Sequence, residues 1–174
     1  MLISKRFYLT GVAGTGKSTI AKALSDRGIA AFDICADPRL CYWRDRFTKT
    51  PVENERGVGK VWLDKNEHVC DLTKLKQLFR SHPGTIVVAG YASNQEEYLG
   101  LFDKVLFLHC SAKTLLHRLQ SRTNSTFAKT AEEQAAVAAQ SERAIPKLLA
   151  QGAMPISSEG SITEVVARVV SELY

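Results

Sequence analysis

The stretch that decides the fold is Gly11-Val12-Ala13-Gly14-Thr15-Gly16-Lys17-Ser18. It matches the pattern G-x-x-x-x-G-K-[ST] at every fixed position. Glycines at such positions let backbone N–H groups turn toward phosphate oxygens, which a Cβ would obstruct. A strand-like apolar run at 7–9 precedes the stretch and a helical run at 19–24 follows it, as this pattern requires. The sequence therefore predicts a phosphate-binding loop between a strand and a helix.

The residues of this loop have predicted roles in binding a nucleotide. Lys17 supplies a positive charge to the terminal phosphates, and Ser18 offers a hydroxyl to Mg²⁺. The helix that begins near Lys17 directs free N–H groups and its dipole at the anion. The predicted nucleotide contacts of the loop are Gly11, Ala13, Gly14, Thr15, Gly16, Lys17, Ser18 and Thr19.

Outside the loop, short apolar runs alternate with longer helical ones. Strands are predicted at 6–10, 29–33, 85–89, 104–109 and 153–157. This alternation is typical of β-α-β units, which build an α/β fold with a mainly parallel sheet and helices on both faces. No linker, repeat or low-complexity tract divides the chain, so we expect 1–174 to form a single domain.

Helix boundaries carry their own signals. Capping boxes are predicted at Asn94 with Glu97, Thr130 with Glu133, and Ser161 with Glu164, and N-caps at Asp71 and Ser111. Pro146 should kink or end the helix that begins near Ala131, because proline cannot donate a backbone hydrogen bond and restricts the residue before it.

Composition places the chain among ordinary globular proteins. The net charge of +5 suits a protein that handles phosphates, although it would equally aid solubility alone. The four cysteines are scattered without a C-x-x-C pair, which favours a reduced, cytoplasmic protein. We expect no signal peptide, and the longest apolar run, near 85–92, is far shorter than the roughly 18 residues of a membrane span.

The region 37–62 differs from the rest of the chain. It is polar, rich in arginine and aromatic residues, and interrupted by proline and glycine, so we predict an acceptor-binding insertion outside the sheet. Its cations and aromatics could stack a ring and neutralise a phosphate, with Arg39 and Arg44 as candidate substrate contacts. The spacing of Leu40, Trp43 and Phe47 equally fits a short amphipathic helix that packs on the core.

Several classes of nucleotide-binding protein are excluded by missing motifs. A GTPase should carry N-K-x-D and D-x-x-G motifs, and the sequence has neither. A large ATPase of the AAA+ or helicase kind should end a central strand in Asp-Glu, whereas the predicted strand at 85–89 is followed by Gly90 and Tyr91. Short phosphotransferases remain.

On the phosphate loop and the regions described next, the chain resembles the nucleoside/nucleotide-kinase and shikimate-kinase-like branch of P-loop proteins. The resemblance extends from the loop to Lys129 and implies a five-stranded parallel sheet, a short lid at 122–130, and an acceptor region after the second strand. It also implies transfer of the γ-phosphoryl group of ATP to a small acceptor with Mg²⁺.

The end of the second strand matches this branch in part. Shikimate-kinase-like proteins carry Asp-x-Asp there, and the resemblance makes Asp33 a candidate catalytic residue and Mg²⁺ ligand. Cys35 stands where the second carboxylate should be, which argues against shikimate as the acceptor. Asp37 is a candidate substrate contact. Both aspartates could instead cap the turn around Pro38.

An arginine pair is the second match. Arg118 and Arg122 lie four residues apart and project from one face of a predicted helix. In similar kinases, the first arginine stacks on adenine and the second, here a candidate catalytic residue, reaches the transferred phosphates. The alternative is that both only complement the helix dipole. Lys129 could be a further phosphate contact.

Tyr91 and Asn94 follow a central strand, at the edge where open parallel sheets bind ligands. We therefore include both as candidate substrate contacts, although Asn94 is also a good helix cap. The residues at 157–160 could border the adenine in the same way.

The leading hypothesis is an ATP-binding kinase of a nucleoside, nucleotide or hydroxylated metabolite. Two alternatives remain open: a polynucleotide-end kinase, for which the basic aromatic insertion would bind nucleic acid, and a non-catalytic ATP sensor. The sequence does not predict the identity of the acceptor or the oligomeric state.

Overall fold

The computed structural model describes residues 4–53, 60–123 and 128–174, with the backbone alone for Lys60. Its strands are β1 (Arg6–Thr10), β2 (Ala30–Asp33), β3 (Cys41–Asp45), β4 (Asn66–Cys70), β5 (Ile86–Ala89), β6 (Lys104–His109) and β7 (Met154–Ser157). Five of them form a parallel sheet in the order β2-β5-β1-β6-β7. Each of these five matches a predicted strand to within one residue, which confirms the α/β fold with a five-stranded parallel sheet.

The helices are α1 (Lys17–Ser25), α2 (Lys60–Lys65), α3 (Leu72–Ser81), α4 (Ala112–Ser121), α5 (Ala131–Ala150) and α6 (Ile162–Ser171). Their predicted start signals are present, with capping boxes at Thr130 and Ser161 and side-chain caps at Asp71 and Ser111. No helix in the described part of the chain is long and apolar enough to cross a membrane.

The structure bears on two predictions of local structure. Helix α5 continues past Pro146 to Ala150, so it does not end near Ile145; a kink at Pro146, the other predicted outcome, stays a prediction. The capping box predicted at Asn94 is wrong. Asn94 precedes a short 3₁₀ turn without capping it, and its side chain bonds to the backbone N and O of Cys70, at 2.9 and 3.0 Å. At Asn94 the local preference therefore yields to a contact with a distant part of the chain.

Side chains alternate between the two faces of the sheet along each strand, and apolar clusters bury both faces. On one face, Phe7 and Leu9 of β1 pack with Leu24 of α1 and Val165 of α6. On the other, Tyr8 lies in a cluster with residues of α3, and a smaller cluster joins β6 to α5. Burying each large side chain contributes about 1.5–3 kcal/mol. The two layers of helices hold the strand ends, and the loops after them, in fixed positions.

The described residues of the region 37–62 lie outside the main sheet, and they contain no helix over Leu40–Phe47. That the region binds the acceptor stays a prediction. β3 pairs antiparallel with β4, and Trp43 faces His68 in the register while Arg44 faces Glu67. Leu40 is buried, whereas Phe47 is 83% exposed, so the helical spacing of these apolar residues did not produce a shared face. A second, two-stranded sheet therefore stands beside the end of the main one.

Candidate active site

A cavity of about 930 Å³ lies next to the phosphate loop. It is lined by the loop, the ends of β2 and β5, the β3–β4 hairpin, α4 and the segment after β7. Its lining includes Gly14, Lys17, Ser18, Asp33, Cys35, Trp43, His68, Tyr91, Arg118, Arg122 and Ser158. The site thus lies beyond the carboxyl ends of parallel strands, where open α/β sheets bind ligands.

The loop has the backbone geometry that its glycines predict. Gly11, Gly14 and Gly16 all have positive φ, at 148°, 87° and 99°. A Cβ on Gly11 would lie 2.6 Å from the carbonyl oxygen of Leu108, so this position has room only for glycine. The Thr15 hydroxyl donates to the carbonyl of Val12 at 2.8 Å and closes the turn. Glycine is needed here for both conformation and space.

Lys17 begins α1 and turns back over the loop. Its Nζ donates to the carbonyl oxygens of Gly11 at 2.6 Å and Val12 at 2.9 Å. Burial lowers the pKa of Lys17 to about 8, against the opposing influence of Cys35 and Asp33 nearby. The ammonium form still predominates at pH 7, so the loop holds a buried cation where terminal phosphates would lie.

The ends of β2 and β5 are joined through Cys35. Asp33 Oδ1 accepts a hydrogen bond from the backbone N of Cys35 at 3.0 Å, and Cys35 Sγ accepts one from the backbone N of Tyr91 at 3.3 Å. A hydrogen bond from the Cys41 thiol is the main reason that the pKa of Cys35 falls to about 7. Asp33 therefore both caps the turn and lines the cavity, so its two predicted roles are compatible.

The arginine pair lies at the end of α4, with Arg118 in its last turn and Arg122 as its C-cap. Arg118 Nη2 donates to the carbonyl of Ser158 at 2.8 Å, which connects α4 to the segment after β7. Arg122 also lines the cavity, and burial lowers the pKa of its guanidinium while Glu133 raises it. Lys129, considered as a phosphate contact, donates to the carbonyls of Leu119, Gln120 and Arg122 and so caps α4. The central residues of the predicted lid, 124–127, lie outside the described residues.

Most of the predicted substrate contacts lie outside the cavity lining. Only Tyr91 lines it; Asp37, Arg39, Arg44 and Asn94 do not. Arg39 forms an exposed ion pair with Asp37, Nη2 to Oδ2 at 2.7 Å, and the Arg44 Nε lies 2.9 Å from Glu67 Oε1. These cations are engaged with neighbouring carboxylates and not directed at the site.

Sequence reasoning missed several residues of the lining. Trp43, for which core packing was one of two predicted roles, borders the cavity. So do His68, Leu63 and Ser93, for which no role in the site was predicted. The available signal was the position of Trp43 beside Arg44, since adjacent residues of a strand point to opposite faces. His68 and Leu63 are brought in only by the pairing of β3 with β4 and the helix before it.

Comparison with solved structures supports the fold. The chain is similar to a gluconokinase from Sinorhizobium meliloti 1021 (15% identity, TM-score 0.55, covering 99% of this chain and 93% of that one). It is also similar to a shikimate kinase from Bacteroides thetaiotaomicron (19% identity, TM-score 0.55, covering 97% of this chain and 98% of that one). A third similar structure is a sugar kinase from Janibacter sp. HTCC2649 (16% identity, TM-score 0.54, covering 97% of this chain and 93% of that one). At these identities the likeness shows the fold. No curated protein matches the chain in sequence.

A family model described as an AAA domain matches residues 8–139. That span includes the phosphate loop, Asp33 and the arginine pair. Gly90 and Tyr91 follow β5, where the large AAA+ ATPases were expected to carry Asp-Glu. The three solved structures named above are a gluconokinase, a shikimate kinase and a sugar kinase. Because the model covers well over half of the 174 residues, the chain belongs to this AAA-domain family.

Proposed function

We propose that this protein transfers the γ-phosphoryl group of ATP to a hydroxyl group of a small molecule, with Mg²⁺. The observation that carries the proposal is that Lys17, Asp33 and Arg122 line the same cavity although they are far apart in the chain. Phosphoryl transfer depends mainly on positioning and on neutralising charge, and these residues supply cations and a carboxylate around one space.

The nucleotide would lie with its phosphates on the loop. Backbone N–H groups from Gly14 to Thr19 and the start of α1 would receive the phosphate oxygens. Lys17 would exchange its bonds to loop carbonyls for bonds to the terminal phosphates. Arg118, held by Ser158, offers a flat guanidinium for stacking on the adenine, and Arg122 would spread charge over the transferred group.

Ser18 and Asp33 fit the metal that such a nucleotide brings. Both line the cavity and carry oxygen donors, which Mg²⁺ prefers, and Asp33 interacts with Lys17. The described residues include no group of three His, Cys, Asp or Glu side chains that could hold a metal, and Mg²⁺ is usually bound by few protein ligands together with phosphates and water. When bound, it would neutralise charge on the β- and γ-phosphates.

The acceptor would enter beside Tyr91 and the hairpin. Its hydroxyl oxygen would attack the γ-phosphorus in line with the bond to ADP, and its proton would leave to a nearby base or water. Asp33 would orient the metal and the incoming hydroxyl. We further propose a cytoplasmic location, supported by four cysteines that remain free thiols.

The proposal is tested by ATP consumption with Mg²⁺ and pooled nucleosides, nucleotides, sugars and hydroxy acids. We expect at least one pool to accelerate ADP release, and Lys17→Ala to reduce that rate about 100-fold or more, as loss of a charge-stabilising donor does. Lys22→Ala is the matched control, because Lys22 is an exposed lysine of the same helix paired with Asp26.

If the protein binds ATP tightly and no pool accelerates its loss, the kinase proposal is wrong and the sensor alternative is favoured. Tight, salt-sensitive binding of an oligonucleotide, with phosphorylation of its end, would favour the polynucleotide alternative instead.

A further inference from the structure

The cavity extends from the phosphate loop to the hairpin, and the residues that line it between these two ends contact one another. Cys35, two residues after Asp33, bonds through its sulfur to the backbone of Tyr91. The His68 ring also hydrogen-bonds to the backbone of Tyr91, and the ring centroids of His68 and Trp43 are 5.1 Å apart. We call these four residues, Cys35, Tyr91, His68 and Trp43, the aromatic wall. It begins beside Asp33 and ends on the hairpin.

The aromatic wall contains no cationic side chain, and Cys35, whose pKa falls to about 7, is partly a thiolate at neutral pH. Burial lowers the pKa of His68, so its imidazole is neutral near pH 7. Leu63 and Ser93 complete this half of the cavity, and the cations among the described lining residues, Lys17, Arg118 and Arg122, all belong to the nucleotide half. A carboxylate or phosphate bound at the wall would lose water without gaining a partner of opposite charge among these residues, which is costly.

The cations of the hairpin lie on its other face. Trp43 pairs with His68 and the next residue, Arg44, pairs with Glu67; adjacent residues of a strand point to opposite faces. Glu67 Oε1 lies 2.9 Å from Arg44 Nε and 3.0 Å from Lys49 Nζ, and its Oε2 lies 3.7 Å from Arg46 Nη1, so one carboxylate holds three cations away from the cavity. The alternation that directs Trp43 and His68 toward the cavity directs Arg44 and Glu67 away from it.

We propose that the acceptor is an uncharged hydroxyl compound with a planar ring, which stacks on the aromatic wall at Trp43 and directs its hydroxyl toward Lys17 and Asp33. Aromatic side chains stack on flat rings through dispersion and the attraction of offset π-systems. The assignment of this ligand as phosphoryl acceptor rests on the proposed function, but the binding of the ring does not require turnover.

The two tryptophans make the binding observable. They are Trp43 and Trp62, whose ring centroids lie 4.9 Å apart, and Trp62→Phe leaves Trp43 as the only tryptophan reporter. The full chain, saturated with a non-hydrolysable ATP analogue and Mg²⁺, is titrated with uridine, cytidine and pyridoxine as neutral ring alcohols. The comparison probes are ribose, gluconate, shikimate and uridine monophosphate. We expect at least one neutral ring compound to quench Trp43 saturably and to bind more tightly than every comparison probe.

Variants then locate the binding, measured by calorimetry in the otherwise unchanged chain. Trp43→Leu should weaken binding of the ring compound about 10-fold, the usual effect of removing one stacking partner, and Trp43→Phe should retain most of the affinity. Phe47→Leu is the matched control: an aromatic of the same hairpin that is 83% exposed and outside the cavity. Circular dichroism verifies that each variant folds.

The inference is overturned if an anionic probe binds more tightly than all the neutral ring compounds, if none of these compounds binds, or if Trp43→Leu and Phe47→Leu have equal effects. Its failure is distinguishable from failure of the proposed function. Saturable binding of a ring compound without ATP consumption would contradict the proposed kinase activity but support the ring-binding site. ATP consumption with an anionic acceptor would support the kinase activity but contradict the proposal of a neutral acceptor.

Discussion

The phosphate loop and the β3–β4 hairpin form opposite sides of one cavity, but they are held by different kinds of contact. The loop is closed by bonds between near neighbours, such as Thr15 to Val12 and Lys17 to Gly11. The hairpin is attached to the main sheet from a distance: Asn94 bonds to both backbone groups of Cys70, and the backbone N of Ser93 donates to the carbonyl of His68 at 2.7 Å.

This difference determines which substitutions each region tolerates. The loop depends on backbone conformations that only particular residues adopt, so a single methyl group can disrupt it. The hairpin depends on side chains spread over several elements, so we expect a single substitution there to cause a smaller loss of stability. The predictions below test this contrast, from the largest expected effect to the smallest.

Gly11→Ala should have the largest effect. The new Cβ would meet the carbonyl of Leu108 at 2.6 Å in a backbone region that L-residues rarely adopt, and we expect a loss of about 3 kcal/mol in the free energy of unfolding. Gly28→Ala is the matched control, since Gly28 has a φ of 80° with nothing within 4 Å of the added Cβ, and it should cost only about 1 kcal/mol.

Urea denaturation of both variants measures the difference. Equal losses for Gly11→Ala and Gly28→Ala would mean that the close approach of β6 does not constrain the loop, and the contrast with the hairpin would fail.

Glu67→Gln should have an intermediate effect on the hairpin. Its carboxylate is 12% exposed and lies near Lys49, Arg44 and Arg46. Hydrogen bonds from Lys49 and Arg44, together with their charges, lower its pKa in the fold. We expect a loss of about 1–2 kcal/mol near pH 7. Because the pKa of the folded state is lowered, this stabilisation is present above the unfolded pKa of about 4.3 and disappears as the pH falls through the folded value.

Unfolding curves at pH 7 and at about pH 3 are the measurement, with the exposed Asp26→Asn as control. If the loss in the free energy of unfolding caused by Glu67→Gln is the same at both pH values, the effect is steric and not ionic.

Arg39→Ala should have the smallest effect. Its guanidinium is exposed, pairs with Asp37 and lies outside the cavity lining, so we expect no measurable change in stability or in ATP affinity. Calorimetric titration with ATP and Mg²⁺ checks this expectation. A clear loss of affinity would return Arg39 to the set of substrate contacts that the sequence predicted.

Local rules were reliable where neighbours in the chain supply the contacts. Thr130 and Ser161 form the capping boxes that their sequences predict, because the partner glutamate is three residues away. Asn94 has the same local pattern, but its side chain forms hydrogen bonds with the backbone of Cys70, which is 24 residues away in the chain. Lys129 likewise resembles a phosphate contact in sequence and caps α4 in the fold.

By itself, the sequence determined the phosphate loop, the five strands of the parallel sheet and the placement of Lys17 and Asp33 at strand or loop ends. These follow from glycine geometry and from hydrophobic periodicity, which act over a few residues. Only the tertiary structure decided that Trp43, His68 and Tyr91 meet in one wall and that the arginines of the hairpin face away from it. The pairing register of β3 with β4 controls both outcomes, because a shift of one residue would exchange the faces of the strand.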